Sequence, residues 1–192
     1  MRGVVSIPGE LEGYLDELVR RLRAVAELDA VYLVGSAAQG AYEHGRSDVD
    51  VIAVTARPPS QAEKAAFASA AESLPCPARK LELVVYARGA ERHTLNVNTG
   101  ELTHLDPDED PGFWFVLDRS IAEQHSIPLL GPAWEDVFEP VPRAAVLAAL
   151  AEADAFGGWD DPRAADLARA RAETWRATGE WLSKAEARRR LA

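Results

Sequence analysis

Only one cysteine, Cys76, occurs among the 192 residues. Neither an internal disulfide nor a cysteine-built zinc site can form from it. Between Pro75 and Pro77 it reads as a reduced loop thiol. No apolar run approaches the roughly 20 residues that a membrane helix needs. Met1 to Pro8 lack the apolar core of a signal peptide. A soluble, cytoplasmic protein without a membrane partner is therefore expected. Positive charge is also scarce: 21 Lys and Arg face 31 Asp and Glu, a formal net charge of −10. Binding to a phosphate backbone wants a basic face, so no nucleic-acid partner is expected. A negative field would instead attract a cationic small molecule. Neither a Walker A motif nor a GxGxxG fingerprint is present, which excludes the common P-loop and dinucleotide solutions to nucleotide binding.

What is present suffices for a globular core, with 47% hydrophobic residues. Leu11, Tyr14, Leu15, Leu18, Leu22 and Val25 recur at three- and four-residue steps and predict an amphipathic helix over 8–27. Short apolar runs at 30–35, 48–55 and 80–86 predict strands. Residues 36–46 fit a turn or short helix, and 60–73 an Ala-rich helix. Residues 87–112 read as short strands and loops, with the acids of 106–110 in a solvated loop. Helices are predicted over 113–125, 142–156 and 162–178. The stretch from Ile127 to Pro142 between the first two reads as a linker. Ser183 to Glu186 has capping-box spacing and opens a last helix. An α+β fold follows: a mixed sheet with helices over 1–140, then a short helical domain over 141–192.

Asp48 and Asp50 interrupt a strand, and residues i and i+2 of a strand point the same way. Two carboxylates on one face repel, and their burial is costly without partners. They suit a solvated strand end or a divalent cation with oxygen ligands such as Mg²⁺. Twelve residues before Asp48, Ser36 follows Gly35 at a strand end. Glycine permits close backbone approach, and a hydroxyl with exposed N–H groups can hold an anion. Glu82 in "KLELVVY" would join the acids if its strand lies beside theirs, because neighbouring strands are about 4.8 Å apart. The four histidines, His44, His93, His104 and His125, show no mutual ligand spacing and read as surface or loop residues. Trp175 and Trp181 are core residues or the walls of an adenine or sugar pocket, and Trp159 is a core or interface residue.

Gly35-Ser36, a spacer, Asp48-x-Asp50 and a later strand carboxylate resemble the nucleotidyltransferase superfamily, the polymerase-β-like fold. "AEQHSIPLLGPAWEDVFEPVPRAAVLAAL" and "WRATGEWLSKAEA" resemble the domain junction and helical domain of the streptomycin/spectinomycin-type aminoglycoside adenylyltransferases. The resemblance implies that Gly35, Ser36, Ser47 and Lys184 bind the nucleotide. It implies that Asp48, Asp50 and Glu82 bind Mg²⁺, with Glu82 also taking the proton from the attacking hydroxyl. ATP would be the co-substrate, and the acceptor a small hydroxylated, cationic molecule of the aminoglycoside type, so antibiotic resistance is among the expectations. Members of that family continue for several helices beyond the counterpart of Ala192. The shorter helical domain leaves the acceptor cleft open or calls for a partner subunit, so a homodimer is among the expectations. Two other readings are a nucleotidyltransferase acting on protein or RNA, as antitoxin-like members do, and a non-catalytic nucleotide-binding module.

Overall fold

The computed structural model describes residues 6–156 and 162–192. Helix α1 (Gly9–Val25) leads into strand β1 (Leu28–Val34), a four-residue helix α2 (Gly35–Ala38), strand β2 (Val49–Thr55), helix α3 (Gln61–Glu72) and strand β3 (Leu81–Ala87). Strands β4 (His93–Asn98) and β5 (Leu102–His104) follow, then helix α4 (Gly112–His125) and strand β6 (Ile127–Leu130). Helices α5 (Arg143–Phe156), α6 (Pro162–Thr178) and α7 (Lys184–Leu191) complete the described chain. Trp159 lies outside the described residues.

The six strands form one mixed sheet in the order β5-β4-β3-β2-β1-β6. Only β2 and β3 run parallel, as their α3 crossover requires. The other pairs are antiparallel. Alternation along the strands sorts side chains to two faces. Odd-numbered positions such as Val31, Leu33, Val51, Leu83 and Val85 meet Leu11, Leu15, Leu18 and Leu22 of α1 and Phe67 of α3. Even-numbered positions such as Tyr32, Ile52, Val54 and Tyr86 meet Ala122 of α4, Trp134 and Phe138. The stripe on α1 is thus the one that its sequence spacing predicts. A third core joins Phe113 and Leu117 of α4 to Val146, Ala149 and Leu150 of α5 and Trp175 and Trp181 near α6. Helix α4 therefore packs on the sheet with one side and on the helical segment with the other.

Three expectations are corrected. The 127–142 stretch contains a strand: β6 pairs with β1 and forms the sheet edge. Pro128 is tolerated there because an edge strand need not donate every N–H to a ladder. The acids of 106–110 are not all solvated. The Asp110 side chain is only 8% exposed and meets His93 Nε2 at 3.2 Å and His104 Nδ1 at 2.9 Å. It also accepts from Asn96 Nδ2 at 3.2 Å. His93 is buried, so it is not a surface residue, and its ring stacks on Phe115 of α4 at 3.6 Å. Burial lowers the His93 pKa, with Asp110 opposing the shift. This cluster ties the β4–β5 hairpin to the start of α4.

Candidate active site

Register decides which polar side chains meet. Across the sheet, Val34 pairs with Asp50, Asp50 with Glu82, and Glu82 with Asn98. One row therefore carries Asp50, Glu82 and Asn98 on three neighbouring strands, on the face that α4 covers. Asp48 stands at the entry to β2, two residues before Asp50. The chain reverses beside this row at Gly35, whose φ is +63°. A Cβ on Gly35 would lie 1.8 Å from Asp50 Oδ2. Glycine is needed there twice, for the left-handed backbone and for the close approach of the carboxylate.

Three of the carboxylates differ in their partners. Arg79 donates to both oxygens of Asp48, Nε to Oδ1 and Nη2 to Oδ2, each at 2.7 Å. Lys80 Nζ lies 2.8 Å from Glu82 Oε1, 2.6 Å from Glu101 Oε2 and 2.9 Å from Asn98 Oδ1. Asn98 in turn donates to Asn96 Oδ1 at 3.3 Å. Asp50 receives no hydrogen bond among the described residues. Its pKa is pushed well up by burial, then by the charges of Glu82, Asp118 and Asp48, against the pull of Lys184.

Asp118, on α4, is the fourth acid. It is pushed up to about 7 by burial and then by Glu82, while Arg171 and Lys184 oppose the shift. Asp118 nonetheless keeps solvent access. Surrounded by protein yet reachable, it occupies the wall of a cleft. Arg171 on α6 is lowered by burial and held up by Asp118. Its Nε donates to the Leu182 carbonyl at 2.7 Å, and its guanidinium lies 5.8 Å from the Trp181 ring.

The remaining residues singled out in the sequence fall around this cleft. Ser36 sits in α2, one residue after the turn at Gly35. The Ser47 hydroxyl accepts from the Glu43 N–H at 3.0 Å and closes the 43–47 turn. Ser183 caps α7 through the expected box with Glu186, which places Lys184 at its first position. The charge of Lys184, at the start of the last helix, acts on both Asp50 and Asp118. Arg188 Nη1 reaches Glu43 Oε1 at 3.1 Å and joins α7 to the loop that carries Ser47.

These donors suit a hard divalent cation. Asp50 in particular is a carboxylate among other acids with no donor of its own, a placement that a cation would relieve. Among the described residues no three metal-ligating side chains stand together as a preformed cluster. Asp48 is turned to Arg79, so it would have to yield an oxygen from that pair to join Asp50 and Glu82.

The sequence reading missed Asp118, Lys80, Arg79 and Arg171. Asp118 had a signal: it is the lone acid in the apolar run "FWFVLD". Lys80 and Asn98 had a weaker one, polar residues on strands at the parity of Glu82 and Asn96. Arg171, in an Arg- and Ala-rich helix, had none.

Acids from adjacent strands beside a glycine-serine turn, with a helical segment opposite them, form a carboxylate cleft on an α+β sheet. Residues 13–105 match the family model of the nucleotidyltransferase domain. Residues 13–105 are thus a nucleotidyltransferase domain. Spectinomycin adenyltransferase AAD(9) from Enterococcus faecialis, solved with ATP and spectinomycin, has the same fold over most of both chains. The TM-score is 0.72 at 15% identity, covering 91% of this chain and 79% of that one. Weaker likenesses are a toxin–antitoxin with AMP-PNP (TM-score 0.38, 14% identity, 74% of this chain and 88% of that one) and a mutant of the toxin–antitoxin MntA-HpeT (TM-score 0.37, 15% identity, 76% and 87%). No curated protein matches the sequence. Among the described residues no helix is long and apolar enough to cross a membrane.

Proposed function

We propose that the protein transfers AMP from ATP to a hydroxyl of a small molecule. The observation that carries this reading is the in-register placement of Asp50 and Glu82 beside the Gly35 turn. The acceptor oxygen forms a bond to the α-phosphorus, the bond from that phosphorus to the bridging oxygen of the β-phosphate breaks, and pyrophosphate leaves. Glu82 receives the hydroxyl proton. Its carboxylate is oriented by Lys80, and its side chain is 36% exposed, open to an acceptor. Ser36 and Ser47 contact the phosphates from the loop side, and Lys184 offers a point charge from the helical side. Mg²⁺, held by Asp48, Asp50 and Glu82, supplies charge neutralisation for the triphosphate when bound. The chain's own contribution is to position the reactants and stabilise the developing charge.

Aminoglycoside-type antibiotics are the first acceptors to test, because the AAD(9) structure of the same fold holds ATP and spectinomycin. A resistance role and a cytoplasmic setting belong to this same reading. Pyrophosphate release from ATP and Mg²⁺ is measured with a panel of hydroxylated acceptors, beside Glu82→Gln and Asp50→Ala. Release that requires one acceptor and is lost in both variants supports the reading. Release retained in Asp50→Ala would overturn the carboxylate assignment.

A further inference from the structure

On the sheet face that α4 covers, Ile52, Val54, Val84 and Tyr86 form an apolar layer. Strand β4 departs from it with Asn96 and Asn98, both buried. Asn96 pairs with Val84 of β3, a position where an apolar side chain would pack as well. Two amides at such a place cost free energy unless each finds partners. Their partners form one continuous string that starts at Glu82.

Lys80 Nζ lies 2.8 Å from Glu82 Oε1 and donates to Asn98 Oδ1 at 2.9 Å. Asn98 Nδ2 donates to Asn96 Oδ1 at 3.3 Å, and Asn96 Nδ2 to Asp110 Oδ1 at 3.2 Å. The two ends dictate this direction, because an ammonium only donates and a carboxylate only accepts. Either amide turned round would set donor against donor or acceptor against acceptor at both of its contacts. Bonds aligned in one direction polarise one another. Asp110 is itself held, by His93 Nε2 at 3.2 Å and His104 Nδ1 at 2.9 Å. At the other end, the three protons of the Lys80 ammonium meet three acceptors: Glu82, Glu101 and Asn98. The Glu82 and Glu101 side chains are 36% and 52% exposed, whereas Asn98 is seated in the core. Without Asn98, the ammonium is free to follow Glu101 away from the carboxylate row.

We propose that Asn98, Asn96 and Asp110 are positioning residues, which hold the Lys80 ammonium, and through it Glu82, from the β4–β5 side of the sheet. The consequence for catalysis rests on the AMP-transfer reading, in which Glu82 receives the hydroxyl proton. Asn96 and Asp110 act on that carboxylate only through Asn98 and Lys80. Held through one oxygen, Glu82 keeps the other for the acceptor. A misplacement of about 1 Å at a reacting centre costs about a hundredfold in rate. A loosened Lys80 therefore shows in kcat before it shows in KM.

Lysine ammonium NMR on the full chain reads this hold directly, because hydrogen-bonded ammonium protons exchange slowly with water. The sequence has three lysines, Lys64, Lys80 and Lys184, and Lys80→Met assigns the signal. Expected in Asn96→Leu is a Lys80 signal that exchanges about fivefold faster or more. Asp110→Asn keeps the shape and removes the far charge; it should act in the same direction, and it serves should Asn96→Leu fail to fold. Thr94→Val is the control, since it removes a bond of the same strand outside the string, from Thr94 Oγ1 to the Val85 carbonyl at 2.9 Å. It should leave the Lys80 signal unchanged. In pyrophosphate release from ATP–Mg²⁺ with spectinomycin or streptomycin, Asn96→Leu is expected to lower kcat about tenfold and leave both KM values within about threefold. No slow Lys80 signal in the parent, equal exchange in Asn96→Leu and Asp110→Asn, or a kcat unchanged in both overturns the proposal. A parent that binds no ATP–Mg²⁺ by calorimetry overturns the AMP-transfer reading instead, and the Lys80 exchange rates still decide the hold.

Discussion

Gly35→Ala tests whether the turn after β1 is built around the Asp50 carboxylate. The new Cβ would stand 1.8 Å from Asp50 Oδ2 and 2.5 Å from its Cγ, whereas real Cβ contacts stay beyond 3.0 Å. Asp50 must then retreat by about 1 Å or the turn must open. An L-residue at φ +63° adds roughly 1–2 kcal/mol of backbone strain. The strain alone can be read at Gly100, where φ is +76° and nothing lies within 4 Å of an added Cβ. Gly100→Ala is therefore expected to lose stability in urea by about 1–2 kcal/mol and keep its transfer rate. Gly35→Ala is expected to lose at least as much stability. It should also lose roughly a hundredfold in kcat, since a misplacement of about 1 Å at a reacting centre costs that order. Pyrophosphate release, measured for both variants against urea midpoints, separates the two effects. A Gly35→Ala enzyme within threefold of the parent rate would refute the argument that Asp50 needs this approach.

Lys80→Met leaves Glu82 and Glu101 without their shared ammonium and Asn98 Oδ1 without a donor. It is expected to destabilise the fold by about 1–2 kcal/mol, because a buried acceptor loses its partner while the two carboxylates stay partly in water. A larger fall in kcat than rise in KM, with partial recovery in Lys80→Arg, is the expected kinetic pattern. Burial, and then the charge of Glu82, push the Asp118 carboxyl up to about 7, well above the usual carboxylate range. Its folded pKa is raised, so its contribution to stability is fully present below about pH 4 and is lost as pH rises through 7. Melting curves between pH 4 and 8 without Mg²⁺ should show that decline, and Asp118→Asn should flatten it. An unchanged slope in that variant would show that burial and Glu82 do not raise Asp118.

The helices and central strands were legible because each repeats one simple period. Leu11, Leu15, Leu18 and Leu22 mark the buried stripe of α1, and the runs at β1, β2 and β3 are apolar on both faces. The DxD spacing and Glu82 were legible for the same reason, as acids that break an otherwise buried pattern. What escaped was set by partners distant in sequence. Strand β6 is short, contains Pro128 and exists through its pairing with β1. Asp110 looks like one more acid in a polar loop until His93, His104 and Asn96 converge on it. Asp118 gains its meaning only when α4 is laid over the β2–β3 row.

That placement explains why the chain tolerates so many acids in one core. Asp48 is neutralised by Arg79, and Glu82 by Lys80, both cations being drawn from the segment that leads into β3. Asp50 and Asp118 have no such local partner, and both respond by holding protons more tightly. The cations that oppose this, Lys184 and Arg171, come from the opposite end of the chain. Charge balance in the cleft thus depends on the helical segment docking against the sheet. The contact of Arg188 with Glu43 and of Trp181 with Ser120 and Gln124 fixes that docking. A cleft balanced in this way couples its two walls. A ligand that brings positive charge to Asp50 therefore also changes how strongly the charge of Lys184 is felt there.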